Sequence, residues 1–272
     1  MSAVGGLRLA LSLPNGSAVL SKGSDLILPI IFYALLGWLV AVAINHAADI
    51  LPKRETLLQW PACLACGTRR SLPAWSAWLS LLTGRRNCQQ CGQPRPTFTR
   101  ALVVEVATPL FFVFLISYYG LSAYLGWVSL YTAILILITV TDLEHRLIFN
   151  VVILPALLLA IAGTFVADKP AWPAAIVGGA AAFVVAYVAA LLSRGGLGEG
   201  DVTLSAFLGL TIGFPFVLLS LGFGVFLGGF VAALLLVTRR VGLKTFIPYG
   251  PFLTITGWIM LIWGAEIWDH YF

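Results

Sequence analysis

The chain has 272 residues, 60% of them hydrophobic and only 10% charged, with a formal net charge of +5 and a mean hydropathy of +0.98. Soluble domains carry about 25% charged residues, so this composition excludes an ordinary soluble enzyme, a secreted disulfide scaffold and a disordered chain. What remains is an all-α polytopic membrane protein, helical because its apolar runs are long and continuous.

Residues 1–26 are weakly apolar and broken by Pro14, Gly16 and Gly23. They lack the basic, apolar and cleavage-site regions of a secretory signal and read as an N-terminal extracytoplasmic segment. The first strong apolar run goes from about Leu26 to Ile44, within a first transmembrane span at 27–52. The longest polar stretch, Asn45–Arg100, comes next, and 53–100 is expected to form a cytosolic zinc-binding loop. Residues 101–272 are expected to form a seven-span membrane domain. Its runs are at about Ala101–Tyr118, Ala123–Val140, Val151–Val166, Ala174–Leu192, Val202–Ile212, Phe216–Val237 and Phe252–Trp268, divided at Gly213–Phe214–Pro215 between the last short run and its successor. The expected total is eight spans.

Charge sets the orientation. Lys53, Arg54, Arg69, Arg70, Arg85, Arg86, Arg95 and Arg100 crowd the long polar stretch. Basic residues collect on the cytoplasmic side, which puts this stretch in the cytosol and the N-terminus outside. With eight alternating spans, Arg146, Arg194, Arg239, Arg240 and Lys244 also fall inside, and only Arg8, Lys22 and Lys169 fall outside. Counting acids the same way gives the cytosolic parts a net +6 and the outer parts −1. The excess is therefore an orientation label rather than a nucleic-acid signal. Trp127, Trp172 and Trp268 fall near span ends, as interface anchors do.

All four cysteines lie in the cytosolic stretch, as Cys63-Leu64-Ala65-Cys66 and Cys88-Gln89-Gln90-Cys91, with 21 residues between the pairs. Two such knuckles can supply four thiolates to one tetrahedral Zn²⁺. Each is followed by a glycine, Gly67 or Gly92, suited to the tight turn that aims two sulfurs at one metal. Disulfides would need an oxidising compartment, and a redox pair would need a βαβ context that is absent here. Four cysteine ligands close the coordination shell, so the metal is expected to be structural, supplying folding energy to a loop poor in apolar periodicity.

With only 11 acidic residues, each can be weighed. Asp25, Asp168, Glu266 and Asp269 fall outside or near the C-terminus, and Glu55 lies in the basic loop. Asp142 closes the third run and Asp201 opens the sixth, both at the cytosolic face. A carboxylate at membrane depth costs about 2.5–3.5 kcal/mol on insertion scales, so it is usually paired and functional. Two facing carboxylates can share one proton, leaving one acid and one base, which suffices to activate water against a peptide carbonyl and protonate the leaving amine. Gly198 and Gly200 would let backbone and an extended substrate approach Asp201. The structural alternatives are ion pairs with Arg146 and Arg194, or Asp201 as a helix N-cap.

At these residues the chain resembles the bacterial type IV prepilin peptidases (prepilin leader peptidase/N-methyltransferases), aspartyl G-x-G-D membrane proteases. The resemblance extends from Gly37 onward. It rests on Gly37–Pro52 with Asn45, the paired C-x-x-C, Asp142-Leu143-Glu144-His145-Arg146, Gly198-Glu199-Gly200-Asp201 and Pro248-Tyr249-Gly250-Pro251-Phe252. It implies cleavage of the basic leader of type IV prepilins or type II secretion pseudopilins at the cytosolic face of the bacterial inner membrane. It further implies S-adenosylmethionine-dependent methylation of the new N-terminus, with Asp142 and Asp201 as catalytic dyad. Departures from the family pattern are Thr203 for lysine, Gln93 for lysine, and Ala101-Leu102 for Tyr-Pro between Arg100 and Glu105. All but Thr203 fall in or beside the loop to which methylation maps in that family. The competing readings are a different G-x-G-D protease cutting helices within the bilayer, and a proton-coupled transporter or assembly scaffold. The zinc loop argues against the first, and the lack of two related halves against the second.

Among the remaining polar residues, His145 can orient Asp142 or be a plain interfacial histidine. Glu144 and Glu199 are expected to be solvated or paired to arginines, and Asn45 and His46 to bond across helices. Small residues in Gly178–Ala182 and Gly224–Gly229 suit close helix packing.

Overall fold

The computed structural model describes residues 23–53, 59–63, 65–167, 169–193, 197–239, 242 and 248–271, with side chains from Ile27 onward. The expectations for residues 1–22, Arg54, Glu55, Asp168, Arg194, Arg240 and Lys244, and for the Asp25 side chain, lie outside the described residues.

Among the described residues the architecture is all-helical: α1 (Gly23–Ile50), a short helix α2 (Ala77–Leu82) within the cysteine loop, then α3 (Phe98–Tyr119), α4 (Ala123–His145), α5 (Asn150–Val166), α6 (Trp172–Leu192), α7 (Glu199–Ile212), α8 (Phe216–Val237) and α9 (Gly250–Tyr271). Apart from α2, these match the eight expected apolar runs in order, and α7 and α8 divide where Gly213–Phe214–Pro215 had suggested. Six are long and apolar enough to cross a membrane. The exceptions are α5, with 17 residues, and α7, with 14. At 1.5 Å per residue α7 is about 21 Å long, against a hydrocarbon core of about 30 Å. It is instead surrounded by protein: Val202, Leu204, Ser205 and every residue from Phe207 to Ile212 are buried.

Close packing there depends on missing side chains. A Cβ on Gly209 would stand 2.3 Å from the Gly178 carbonyl oxygen, so α6 and α7 touch backbone to backbone. This is the small-residue packing that apolar helices use where the hydrophobic effect cannot hold them together. The expected Gly224–Gly229 contact is the α8–α9 seam, with Gly224 against Leu253 and Gly228 against Tyr249.

Two helices extend past the strong apolar runs that announce them. The polar residues of Asn45–Ile50 continue α1 because Asn45 is buried and bonds across to α3: its Nδ2 donates to the Ala101 carbonyl at 3.0 Å. α4 continues through Asp142 to His145, closed by Arg146 in a left-handed conformation (φ 55°), whose N–H returns to the Asp142 carbonyl at 2.8 Å. Contacts sort the helix ends into two groups. Asn45–Ala101, Arg100–Glu144 and Asp142–Gly250 join one end of the bundle, and Tyr118–Glu266 and Phe214–Ala174 join the other. The cysteine loop and both aspartates are at the first end.

Candidate active site and metal centre

Asp142 occupies the last turn of α4 and is only 5% exposed. Its Oδ2 accepts a hydrogen bond from the Gly250 N–H at 3.0 Å, one of the free donors at the start of α9. Position 250 has to be glycine for this approach, since a Cβ there would lie 2.6 Å from the same Oδ2. Asp201 sits in the first turn of α7, three residues after the N-cap Gly198, and its Oδ2 accepts from the Gly198 N–H at 3.2 Å. It therefore reaches back to the cap in the manner of a capping-box acid, rather than being the N-cap itself. Gly200 packs on Ile148 of the α4–α5 connection, where a Cβ would come within 2.8 Å of the Ile148 Cβ. Gly198 has more room, a Cβ there standing 3.5 Å from the Asp201 carboxylate.

The two carboxylates come from helices 59 positions apart in sequence, yet lie near enough to interact electrostatically. Each has one oxygen tied to a backbone N–H, and the second oxygen accepts no hydrogen bond from the described residues. Neither aspartate is ion-paired there: Arg146 makes no salt bridge to Asp142 among the described residues. His145 is not on Asp142 either; its Nε2 lies 3.8 Å from Glu144. Glu144 in turn accepts from Arg100 at 3.1 Å. Thr203, where the lysine was expected, donates its hydroxyl to the Gly200 carbonyl at 2.9 Å.

The cysteine loop closes into two matching knuckles. In the first, Gly67 N–H donates to the Cys63 carbonyl and Cys63 N–H to the Thr68 carbonyl; in the second, Gly92 N–H donates to Cys88 and Cys88 N–H to Gln93. Gly67 (φ 72°) and Gly92 (φ 69°) supply the left-handed turn in each. The four sulfurs lie within 4.8 Å of one another, with Cys63–Cys91 at 3.8 Å and Cys66–Cys88 at 3.7 Å. Four sulfurs at ~2.3 Å from a tetrahedral ion stand ~3.8 Å apart, so the cluster has the size of a metal-thiolate centre. Without a cation the thiols differ sharply. Hydrogen bonding to Thr68 holds Cys66 down to about 6. Cys91, although the Gln93 backbone N–H opposes it, is pushed up to about 12 by desolvation and the neighbouring sulfurs. A bound cation removes that conflict by favouring all four thiolates.

Two buried polar clusters unforeseen in the sequence join this loop to the bundle. Asp49 at the end of α1 pairs with Arg95 at 3.2 Å and also with Arg100. Glu105 of α3, 2% exposed, accepts from the Ser76 hydroxyl and from the N–H groups of Ala77 (2.8 Å) and Trp78 (3.1 Å). It thereby caps α2. Scarcity of acids on a basic chain was the available signal for Asp49; its spacing to Arg95 and Arg100 carries none.

A helical bundle too apolar for water, with two carboxylates and a four-cysteine cluster at the same end, defines a polytopic membrane protein with a candidate site at that end. The Type IV leader peptidase family matches residues 129–233, a segment that holds both aspartates. The chain is 32% identical to the prepilin leader peptidase/N-methyltransferase of Pseudomonas putida over 213 residues, 76% of this chain and 73% of the relative. It is 29% identical to that of Pseudomonas aeruginosa over 230 residues, 81% and 78% of the two chains. The Bacillus subtilis enzyme of the same name is 27% identical over 193 residues, 71% and 77%. No solved structure matches significantly. The chain belongs to the prepilin leader peptidase/N-methyltransferase family.

Proposed function

We propose that this chain is a multi-pass inner-membrane endopeptidase that removes the leader from type IV prepilins or pseudopilins and then methylates the new N-terminus. The observation that carries the reading is the approach of Asp142 and Asp201, each with one oxygen held by a backbone N–H and one left for substrate. One carboxylate takes a proton from water as its oxygen attacks the scissile carbonyl. The other donates its proton to the carbonyl oxygen, and the acid–base pair then protonates the leaving amine as the C–N bond breaks. Gly198 and Gly200 shape the turn that presents Asp201, and Gly250 fixes Asp142. S-adenosylmethionine is the methyl-donating cosubstrate. The basic loop residues support a cytosolic position for 53–100 and both aspartates, an N-terminus outside, and a peptidase domain at 101–272.

Purified protein incubated with a prepilin in detergent is expected to yield the mature chain, with leader loss and one added methyl group in the same mass spectrum. An intact prepilin beside cleavage of a generic membrane helix would favour the bilayer-protease reading instead.

Gly250→Ala tests the positioning of Asp142. The clashing atom belongs to a movable carboxylate, so the fold should survive while the carboxylate shifts. Cleavage is expected to fall about tenfold or more, with the melting temperature nearly unchanged.

Zn²⁺ is the metal best suited to Cys63, Cys66, Cys88 and Cys91, four thiolates closing a structural site. Metal analysis of protein purified under reducing conditions should give about one zinc per chain. The variant Cys63→Ser/Cys88→Ser should lose it, with methylation impaired more than cleavage. Zinc retained in full by that variant would remove the four-thiolate assignment.

A further inference from the structure

Beside the thiolate cluster lies a cavity of about 670 Å³ in the cytosolic loop. Five of its lining residues are Arg69, Arg70, Arg85, Arg86 and Arg95, and among the described residues no carboxylate lines it. Among the described residues, the first four arginines make no ion pair; Arg69 lies over Trp60 at 6.0 Å and Arg86 over Phe98 at 5.6 Å. Arg95 is built in: its side chain is 8% exposed, its Nε donates to Thr97 and its Nη2 to Asp49. Its Nη1 is buried with no partner among the described residues. Burial, and next the charge of Arg70, holds the Arg95 guanidinium below its usual value.

A buried donor left unmade costs free energy, and like charges gathered around one cavity are stable when an anion sits among them. The thiolate centre does not fill that role. With a divalent ion bound it keeps two net negative charges, fewer than the four guanidiniums that make no ion pair among the described residues, and no arginine hydrogen-bonds to a sulfur there. S-adenosylmethionine is also mismatched, because its one carboxylate is outweighed by an ammonium and a sulfonium. Guanidiniums in this number suit the several acceptor oxygens of a phosphoryl group.

We infer that this cavity is a binding site for a phosphoryl-bearing anion, contacted by Arg70, Arg85 and Arg95. Its source is either a soluble phosphate compound or the headgroup of an anionic phospholipid at the adjoining membrane face. The inference stands apart from the peptidase reading, since it concerns neither aspartate.

The test uses the full chain in nanodiscs and the variant Arg70→Gln/Arg85→Gln. In discs of phosphatidylcholine alone, calorimetry with inorganic pyrophosphate reads the soluble source. In discs containing phosphatidylglycerol, the phospholipid retained after detergent exchange, read by mass spectrometry, reports the lipid source. Saturable binding in either arm, weakened about tenfold or more in the variant while its metal content stays that of the parent, supports the site and tells which source fills it. Binding in neither arm, equal binding by the variant, or displacement of pyrophosphate by S-adenosylmethionine overturns it.

Discussion

Asp142→Asn and Asp201→Asn should each lower leader cleavage about a thousandfold or more. Asparagine keeps the shape of the side chain and an acceptor oxygen, so the hydrogen bonds from Gly250 and Gly198 survive and the ends of α4, α7 and α9 stay in place. What disappears is the ability to take or give a proton. On the proposed reading, in which the two carboxylates act as one acid–base unit, the double variant should be scarcely worse than either single one. Mass spectrometry of a co-incubated prepilin reads the loss, and thermal unfolding reads the fold. Full cleavage by either variant removes the dyad. Loss of cleavage together with a large drop in melting temperature returns the affected aspartate to a capping role.

Much of this arrangement is written locally. Each knuckle is set by six consecutive residues, so C-x-x-C-G announces both the turn and the candidate ligands. The helices are announced by apolar runs, and Asp142 and Asp201 by the scarcity of charge around them. The contacts that assemble the site are of another kind. Gly250 meets Asp142 across 108 positions, and its need to lack a side chain shows only once α4 and α9 are packed. Asn45–Ile50 lies beyond the strong apolar run because Asn45, His46 and Asp49 interrupt it, yet it is helix because Asn45 finds Ala101 on α3. The enclosure of α7 is likewise invisible to hydropathy, which registers an apolar segment without telling lipid from protein around it.

The same long-range logic yields the second large effect, at Glu105. Its carboxylate is the common acceptor for the Ser76 hydroxyl and the N–H groups of Ala77 and Trp78, and Asn45 reaches it at 3.5 Å. Position 105 is 2% exposed and Ser76 is 1% exposed, so water does not readily replace a lost partner. Glu105→Ala leaves several buried donors without acceptors, each costing about 1–3 kcal/mol, and removes the cap that seats α2 on α3. The expected result is undocking of the cysteine loop, at a cost of about 3 kcal/mol or more, with the transmembrane helices still assembled through their own packing. Glu105→Gln keeps one acceptor oxygen and the volume, so it should fall between Ala and the parent. Protease sensitivity of 59–97 and the reactivity of the four thiols measure the docking directly. If Glu105→Ala leaves both unchanged, the loop is held by its cysteine cluster and by the Asp49–Arg95–Arg100 cluster, and Glu105 is a local cap without a wider role.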